Sequence, residues 1–241
     1  MKLIRSNEGA AATLHQVGCV LLQPEELAEE CRVRLEDLSS LSPSWNQLPR
    51  DAHLRDGGRY RFRRHSCFVH EHDSLQLAPH RAHWQPTEYN ALHGGMERWF
   101  EPISGEVLQA PAWTALVSGL ADLFARARPV PRWYIEAHQF RIDTAEGIGR
   151  PTPEGAHRDG VDYVAVVLVN RFNVRGGETR VFEAAGISGV RFTMSSPWTA
   201  LLLDDAKVIH ETTPIQNDGP GGVRDTLVLT FREHGFQSPS S

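Results

Sequence analysis

A succession of short apolar segments, each closed by turn-forming residues, constrains the fold of this chain more than any other feature. Trp133 to Ile142 alternates between apolar and polar residues, and Tyr163 to Val169 is almost entirely apolar. Further short segments follow at residues 178–182, 199–203, 208–212 and 226–231. Separators such as Gly176-Gly177 and Asp204-Asp205 supply turns between them. This length and spacing is typical of β-strands in a sandwich, jelly roll or barrel.

Two segments of the first half have helical periodicity. Residues 24–38 begin with proline and two glutamates and repeat apolar residues at helical spacing, which predicts one amphipathic helix. Residues 111–128 predict a second helix, which Pro129 ends. Between them, Arg59 to Arg63 alternates as an edge strand or groove-lining strand would. The prediction is a mostly β fold with flanking helices packed against one sheet.

Composition and charge exclude several classes of protein. The 241 residues include 25 basic and 30 acidic side chains, a net charge of −5 spread along the chain, which argues against nucleic acid as a partner. Hydrophobic residues make up 40% and charged residues 23%, the balance of a folded chain rather than a disordered one. No apolar run approaches the roughly 18 residues of a spanning helix, so no membrane partner is expected.

The two ends of the chain and its cysteines give further expectations. Glu8, His15 and Gln16 interrupt any apolar core of a signal peptide, which indicates a cytoplasmic protein. The three cysteines, at positions 19, 31 and 67, are an odd number at wide spacing and indicate reduced, mostly buried thiols. The length allows residues 1–237 to form a single domain, and the polar residues 238–241 are expected to be a disordered tail.

Three residues of the second half have the types and order of a metal site. His157 and Asp159 lie between a proline-rich turn and the apolar segment that begins near Val161, at a sheet rim. His210 ends a later strand-like segment. Two imidazoles and one carboxylate on one side of an ion leave its opposite side open, as in non-haem Fe(II) oxygenases. The pattern therefore predicts metal binding by His157, Asp159 and His210.

Arg224 follows at the start of the last predicted strand. Its planar guanidinium suits a carboxylate better than a lysine would, and Thr226 has the same strand parity, so its hydroxyl can bind the same carboxylate. Arg158, between two of the candidate ligands, is expected to point away from the metal into a salt bridge at the rim.

Together these motifs resemble the Fe(II)/2-oxoglutarate-dependent dioxygenases, whose fold is the double-stranded β-helix, a cupin-like jelly roll. The string from Pro151 to Gly160 is similar to the bacterial branch of free amino-acid hydroxylases, which includes L-isoleucine dioxygenases. A related branch is associated with biofilm, stress and motility phenotypes. Further residues also look similar to the branch of free amino-acid hydroxylases, namely Gly176 to Thr179, Tyr89-Asn90, Gly94-Gly95, Arg98 and Phe100. The resemblance covers roughly residues 55–233.

The resemblance implies a catalytic role for His157, Asp159 and His210 as iron ligands, with Arg224 and Thr226 binding 2-oxoglutarate. Fe(II), the cosubstrate 2-oxoglutarate and O2 would together hydroxylate an aliphatic C–H bond and release succinate and CO2. The expected partner is a small-molecule substrate, a free amino acid or a similar compound. The sequence leaves the oligomeric state open.

Other readings of the same residues remain open. The fold and metal site would also serve a 2-oxoglutarate or metal-binding sensor with little turnover, or a cupin-like metalloenzyme that does not use 2-oxoglutarate. The many histidines of the first half, with Glu71 between two of them, allow a zinc site, although no thiolate pair accompanies them. Glu136 and Glu154 allow an acid/base pair for hydrolysis, but their spacing does not select that chemistry.

A free amino acid needs a carboxylate-binding group and an ammonium acceptor near the metal. Gln139 and Arg141 share one face of their predicted strand, and His138 lies on the other face. The first half of the chain adds Arg59, Arg61 and Arg98 as candidates for the same role.

Overall fold

The computed structural model describes residues 9–239. Its helices are α1 (Ala10–Val17), α2 (Pro24–Glu30), α3 (Leu35–Ser39), a 3₁₀ helix (Ser42–Gln47), α4 (Gly105–Gln109) and α5 (Pro111–Ala127). Its strands are β1 (Cys19–Leu22), β2 (Arg61–Glu71), β3 (Ser74–Leu77), β4 (Arg132–Asp143), β5 (Tyr163–Phe172), β6 (Val174–Gly176), β7 (Thr179–Glu183), β8 (Gly189–Phe192), β9 (Ala200–Asp204), β10 (Val208–Thr212), β11 (Ile215–Asn217) and β12 (Val223–Arg232).

The strands form one large sheet and two small ones. The large sheet has seven antiparallel strands in the order β1-β9-β5-β12-β4-β2-β3. The small sheets are β10-β7-β8 and the pair β11-β6. Because β2 lies next to β4, and β4 next to β12, strand pairing in the large sheet brings residues of the first half of the chain beside the predicted metal site.

The large sheet is covered on both faces, which explains why the centre of β5 is almost entirely apolar. Ala165, Val167 and Val169 belong to the core that the helices share. Val164 and Leu168, on the opposite face, pack with Val181 of β7 and Val208 of β10 in a second core. The sheet β10-β7-β8 therefore faces the large sheet. The pair β11-β6 packs on it as well, because Val174 and Ile215 form a third core with Ile142 of β4. The interior between the sheets holds the polar residues of the cavity.

On the helical side, α5 covers the sheet as predicted. Its buried side chains include Trp113, Leu116, Leu120 and Phe124, and Trp133 of β4 donates its indole N–H to the Ala121 carbonyl at 3.1 Å. The helix ends at Ala127, one residue before the predicted end, because Arg128 is extended.

The single helix predicted for residues 24–38 is wrong. The chain forms α2 and α3 instead, and Arg32 between them has a left-handed φ of 52°. The break lies where the chain packs against α5: a Cβ on Gly119 would lie 2.5 Å from the Cα of Cys31. The apolar stripe still faces the core, since Leu27, Cys31 and Leu38 are buried. Packing therefore uses the predicted face but not the predicted continuous helix.

Several other expectations can be compared with the structure. All three cysteines are buried and free, as predicted. None of the helices in residues 9–239 is long and apolar enough to cross a membrane. Five strands were not predicted: β1, β3, β6, β8 and β11. Each is only three or four residues long, and no residue of β3 or β8 is buried, so they lack a strong apolar signal. Glu8 and residues 240 and 241, parts of the predicted ends, lie outside the described residues.

Candidate metal centre and substrate cavity

One cavity opens between the large sheet and the small sheets. The space that it bounds, about 950 Å³, includes the open solvent at its mouth. All five residues of the predicted site, His157, Asp159, His210, Arg224 and Thr226, line it. The strand register explains this, because inward-facing residues alternate along each strand and His210, Arg224 and Thr226 all take the inward parity.

The three candidate metal ligands converge at one wall of the cavity. Their ligand atoms all lie within 4.8 Å of one another. Nε2 of His157 is 3.8 Å from Oδ1 of Asp159, and Nε2 of His210 is 3.8 Å from Oδ2. A pair of backbone hydrogen bonds, each 3.0 Å, joins His157 to His210 and fixes the loop that carries the first ligand to the middle of β10. This arrangement offers two imidazoles and a carboxylate to one ion.

Asp205 holds the loop that carries His157 and Asp159 through hydrogen bonds to its backbone. This carboxylate is fully buried and accepts the backbone N–H groups of Asp159, Gly160 and Val161. Burial, reinforced by the nearby charge of Asp159, raises the pKa of Asp205 to about 6. Asp205 was predicted only as part of a turn, because the three backbone N–H groups that it binds belong to residues 44 to 46 positions away in the sequence.

Arg158 turns away from the candidate ligands, as expected. Its Nε donates to the backbone carbonyl of Asp205 and lies 3.9 Å from a carboxylate oxygen of the same residue. Beside it, Gly160 has a positive φ of 72°, and a Cβ there would lie 2.4 Å from the ring of Tyr89. Glycine at this position therefore allows both the turn and the packing of Tyr89 against the ligand loop.

The pKa values of the two candidate histidine ligands are shifted in opposite directions. Burial, with a smaller contribution from His157, holds the pKa of His210 well below its usual value, so its imidazole is neutral at pH 7. Burial also acts on His157, but Asp159 and Glu154 outweigh it and raise the pKa of that histidine. The Nδ1 of His157 lies 2.9 Å from the Gly155 carbonyl, which directs Nε2 towards the other ligands.

Arg224 is a buried cation with donors that the described residues leave without acceptors. It is 3% exposed, and neither Nε nor Nη2 has a hydrogen-bond partner in residues 9–239. Burial, with a contribution from Arg171, lowers the pKa of Arg224 to about 10, so it remains charged at pH 7. Its sequence neighbour Asp225 forms an ion pair with Arg141 instead, at 2.7 Å.

These observations fit a metal and a carboxylate ligand. The donor set of two histidines and one aspartate suits a divalent iron, and a buried guanidinium fork without acceptors suits a dianionic acid that reaches from the metal to β12. Thr226 is buried in the same wall and adds a hydroxyl. A buried charge is costly unless it is paired, so Arg224 itself indicates an anionic ligand.

A long segment between β3 and α4, residues 78–104, supplies another wall, and we call it the cover loop. It contributes His83, Gln85, Asn90 and Arg98 to the cavity. The amide of Gln85 donates to Oδ1 of Asp159 at 3.3 Å and accepts from Arg98 and Asn90. Gln85 was not predicted as a site residue, since a single glutamine in a loop carries no local signal of its position.

Deeper in the cavity wall lies a group that we call the histidine cluster, formed by His65, His83, Glu136 and His138. Their ligand-type atoms also lie within 4.8 Å of one another, and all four residues are buried. Oε2 of Glu136 lies 2.9 Å from Nε2 of His65 and 2.7 Å from Nδ1 of His83. Glu154, considered with Glu136 as a hydrolytic pair, lies instead 3.5 Å from His157.

The candidate substrate-binding residues separate into two groups. His138, Arg61 and Arg98 line the cavity. Gln139 and Arg141 face the other side of β4, where they bond to Ser44 and to Asp225. Arg59 is exposed, 3.7 Å from Glu146. The alternation of β4 was predicted correctly, but periodicity alone does not say which face of a strand looks into the cavity.

We expect acid to destabilise the protein through the histidine cluster. Burial lowers the pKa of His83 to about 3 and also lowers those of His65 and His138, whereas a histidine in an unfolded chain titrates near 6.5. Below that pH the unfolded chain binds more protons than the folded one, so the stability present above pH 6.5 is lost as the pH falls towards 3. From pH 7 to pH 5, His83 alone should lower the free energy of unfolding by about 2 kcal/mol.

Urea unfolding at several pH values tests this expectation. The slope of the free energy against pH should be smaller in His83→Gln, because glutamine keeps a donor for Glu136 without titrating. His234→Gln, at an exposed position, is the matched control and should keep the full slope. Equal slopes in His83→Gln and the unmodified protein would show that His83 does not carry the effect.

Comparisons with known proteins identify a family and several similar structures. Residues 42–230 match the family model described as 2OG-Fe dioxygenase. A crystal structure of a bsmA homolog from Methylobium petroleophilum PM1 is 56% identical, with a TM-score of 0.92 over 96% of this chain and 94% of that one. No match was found among curated proteins.

More distant structures share the fold. IDO from Bacillus thuringiensis is 20% identical, with a TM-score of 0.75 over 96% of this chain and 99% of that one. An oxidoreductase of the 2OG-Fe(II) oxygenase family from Burkholderia pseudomallei is 17% identical, with a TM-score of 0.57 over 96% of this chain and 94% of that one. The predicted jelly roll is thereby confirmed. Because the family model spans most of the sequence, the chain belongs to the 2OG-Fe dioxygenase family.

Proposed function

We propose that this chain hydroxylates an aliphatic C–H bond of a free L-amino acid or a similar small substrate. The observation that carries the proposal is a single cavity with two charged regions. One region holds His157, Asp159, His210 and Arg224, and the other holds buried arginines and Glu136. A metal and its cosubstrate account for the first region, so the second is available for a small charged substrate.

Membership of the family makes the chain an oxygenase that uses Fe(II), 2-oxoglutarate and O2. Bound together, these supply an oxidation in which one oxygen atom enters the substrate and the other enters succinate, with release of CO2. We assign iron binding to His157, Asp159 and His210. Arg224 and Thr226 are assigned to the carboxylate of 2-oxoglutarate that lies away from the metal. The unpartnered donors of Arg224 support this assignment.

The other residues of the cavity would place the substrate and exclude water. Val166 of β5 and Val228 of β12 are cross-strand partners that both line the cavity, and Val161 follows Asp159 on the ligand loop. This apolar wall beside the candidate ligands suits an aliphatic group. Holding the target C–H bond against such a wall keeps it oriented and limits other reductants near the metal.

Turnover with a panel of free L-amino acids tests the proposed function. The Fe(II)-loaded protein is mixed with 2-oxoglutarate, each amino acid and isotopically labelled O2. We expect one member of the panel to raise succinate formation and to gain one labelled oxygen atom per succinate. Succinate formation that no compound stimulates would favour a sensor with little turnover, and full turnover of a substrate without O2 would favour a cupin-like metalloenzyme that does not use 2-oxoglutarate.

A further inference from the structure

The substrate region of the cavity contains more arginine than its carboxylates can pair. Arg61, Arg63 and Arg98 line the cavity and are each at most 5% exposed. Arg61 pairs with Asp51, at 2.7 Å. Within residues 9–239, neither Arg63 nor Arg98 forms an ion pair with a carboxylate, and the Nε of each has no hydrogen-bond partner. Two buried guanidinium groups therefore lack an anion.

Arg63 is held in place from three sides. Its guanidinium lies 4.0 Å from the ring centre of Phe100 and 4.6 Å from that of Phe140, so the two aromatic rings flank it. Nη2 of Arg63 lies 2.8 Å from Nδ1 of His138, which acts as the acceptor. A flanked, buried guanidinium is preorganised, so little rotamer entropy would be lost when it binds a ligand.

Arg98 is linked to the candidate metal site through one side chain. Its Nη2 donates to Oε1 of Gln85 at 2.9 Å, and the amide nitrogen of Gln85 donates to Oδ1 of Asp159 at 3.3 Å. An anion bound by Arg98 therefore lies about one glutamine side chain from the metal ligand. A small molecule anchored on Arg98 would therefore have its neighbouring carbon atoms near Asp159.

Glu136 brings a negative charge to the same wall. Burial opposes its ionisation, but His83 and His65 outweigh burial and lower the pKa of the Glu136 carboxyl below its usual range. Both histidines contact Oε2, and Oε1 accepts no hydrogen bond from the described residues. An ionised carboxylate with one oxygen free therefore lines the cavity near the unpaired arginines.

We propose that the substrate binds as a zwitterion, with its carboxylate on Arg63 and Arg98 and its ammonium group on Glu136. This inference rests on the proposed function and names the groups that select its substrate. The carboxylate would accept hydrogen bonds from two guanidinium forks, and the ammonium group would donate to Oε1 of Glu136. A compound that lacks either charge leaves a buried partner unpaired and binds poorly.

A second metal ion in the histidine cluster is the competing interpretation, and the geometry does not favour it. The contacts of Glu136 with His65 and His83, at 2.9 and 2.7 Å, are hydrogen bonds. Arg63 donates a hydrogen bond to Nδ1 of His138, so this nitrogen is not free to bind a metal, and the positive charge of Arg63 would repel a cation. A titration with Zn²⁺ tests this interpretation, and a second bound equivalent that depends on Glu136 would overturn the proposal.

Ligand-detected NMR on the protein loaded with Fe(II) and 2-oxoglutarate, in the absence of O2, tests recognition without turnover. The probes are the free L-amino acids, their amides, which lack the carboxylate, and the corresponding carboxylic acids without the amino group. We expect the best-bound amino acid to bind at least about 100-fold more tightly than its amide. The acid without the amino group should also bind more weakly than the amino acid.

Matched variants assign the effect to residues. Arg63→Met and Arg98→Met should lower the affinity for the amino acid at least about 100-fold, to nearly that of its amide. Arg64→Met should not, because Arg64 lies on the same strand but pairs with the exposed Glu101. Glu136→Gln should weaken binding of the amino acid and leave the acid without an amino group unaffected, whereas Glu101→Gln should change neither. If a variant does not fold, the affinities of the unmodified protein for the amino acid, its amide and the acid without the amino group still test the proposal.

The possible results separate this inference from the proposed function. Amides that bind as tightly as amino acids, or equal effects of Arg63→Met and Arg64→Met, would overturn the zwitterion site even if succinate formation is stimulated. Binding of an amino acid that depends on Arg63 and Glu136, without stimulated succinate, would support the site and contradict the proposed function. A second equivalent of Zn²⁺ that is lost in Glu136→Gln would overturn the site in favour of a metal.

Discussion

Replacing His157 by alanine is expected to abolish turnover and to lower the affinity for Fe(II) by more than about 100-fold, with the fold intact. Loss of residues that merely support a metal ligand costs about 10- to 100-fold in affinity or activity, so loss of a ligand itself should cost more. The side chain lines the cavity, is 11% exposed and belongs to none of the three hydrophobic cores, so its truncation leaves them unchanged. Competitive Fe(II) titration and a circular dichroism melt measure both effects.

His234→Ala is the matched control for this experiment, because His234 is 84% exposed and lies outside the cavity. It should bind Fe(II) and turn over as the unmodified protein does. Unchanged Fe(II) affinity in His157→Ala would contradict the assignment of the ligand. Loss of the circular dichroism signal in His157→Ala would require the same measurement on Asp159→Ala or His210→Ala.

Replacing Arg224 is expected to have the second large effect, on 2-oxoglutarate. Arg224→Ala should weaken the binding of 2-oxoglutarate about 100-fold or more, because truncating one partner of a buried charge pair costs roughly 2–5 kcal/mol. Arg224→Lys should recover only part of the affinity, since an ammonium group cannot donate two parallel hydrogen bonds to a carboxylate. Calorimetric titration of 2-oxoglutarate into the Fe(II)-loaded protein without O2 measures the change.

Arg232 provides the control for Arg224, because it lies on the same strand but donates to the Gly235 carbonyl outside the cavity. Arg232→Met should bind 2-oxoglutarate with unchanged affinity. Equal loss of affinity in both variants would point to damage of β12 rather than to a lost contact. Unchanged affinity in Arg224→Ala would remove this residue from the cosubstrate site.

The central strands could be predicted because they carry strong local signals. β4 alternates, and β5 is apolar because both of its faces are covered, so each was recognised within three residues of its ends. The break between α2 and α3 could not be predicted in the same way. It depends on the approach of Cys31 to Gly119 of α5, a contact between residues far apart in sequence. Periodicity reports a buried face, not the path of the chain between two helices.

The candidate site shows the same division. The order of His157, Asp159, His210, Arg224 and Thr226 carried a recognisable pattern, and the structure brings all five to one cavity. The residues that complete the cavity do not form a motif. Gln85 lies in the cover loop and Glu136 on β4, and only the folded structure brings both to the cavity wall. Gln237 was likewise missed, and its side chain donates to the backbone carbonyls of Asp159 and Gly160.

Titration of 2-oxoglutarate in the absence of O2, into the protein with and without Fe(II), tests the central claim most directly. If His157, Asp159, His210 and Arg224 form one iron and 2-oxoglutarate site, the titration should show one equivalent of 2-oxoglutarate bound, with an affinity that rises strongly when Fe(II) is present. Admission of O2 should then yield succinate. Binding that is equally weak with and without Fe(II), and no succinate after O2 is admitted, would contradict the account.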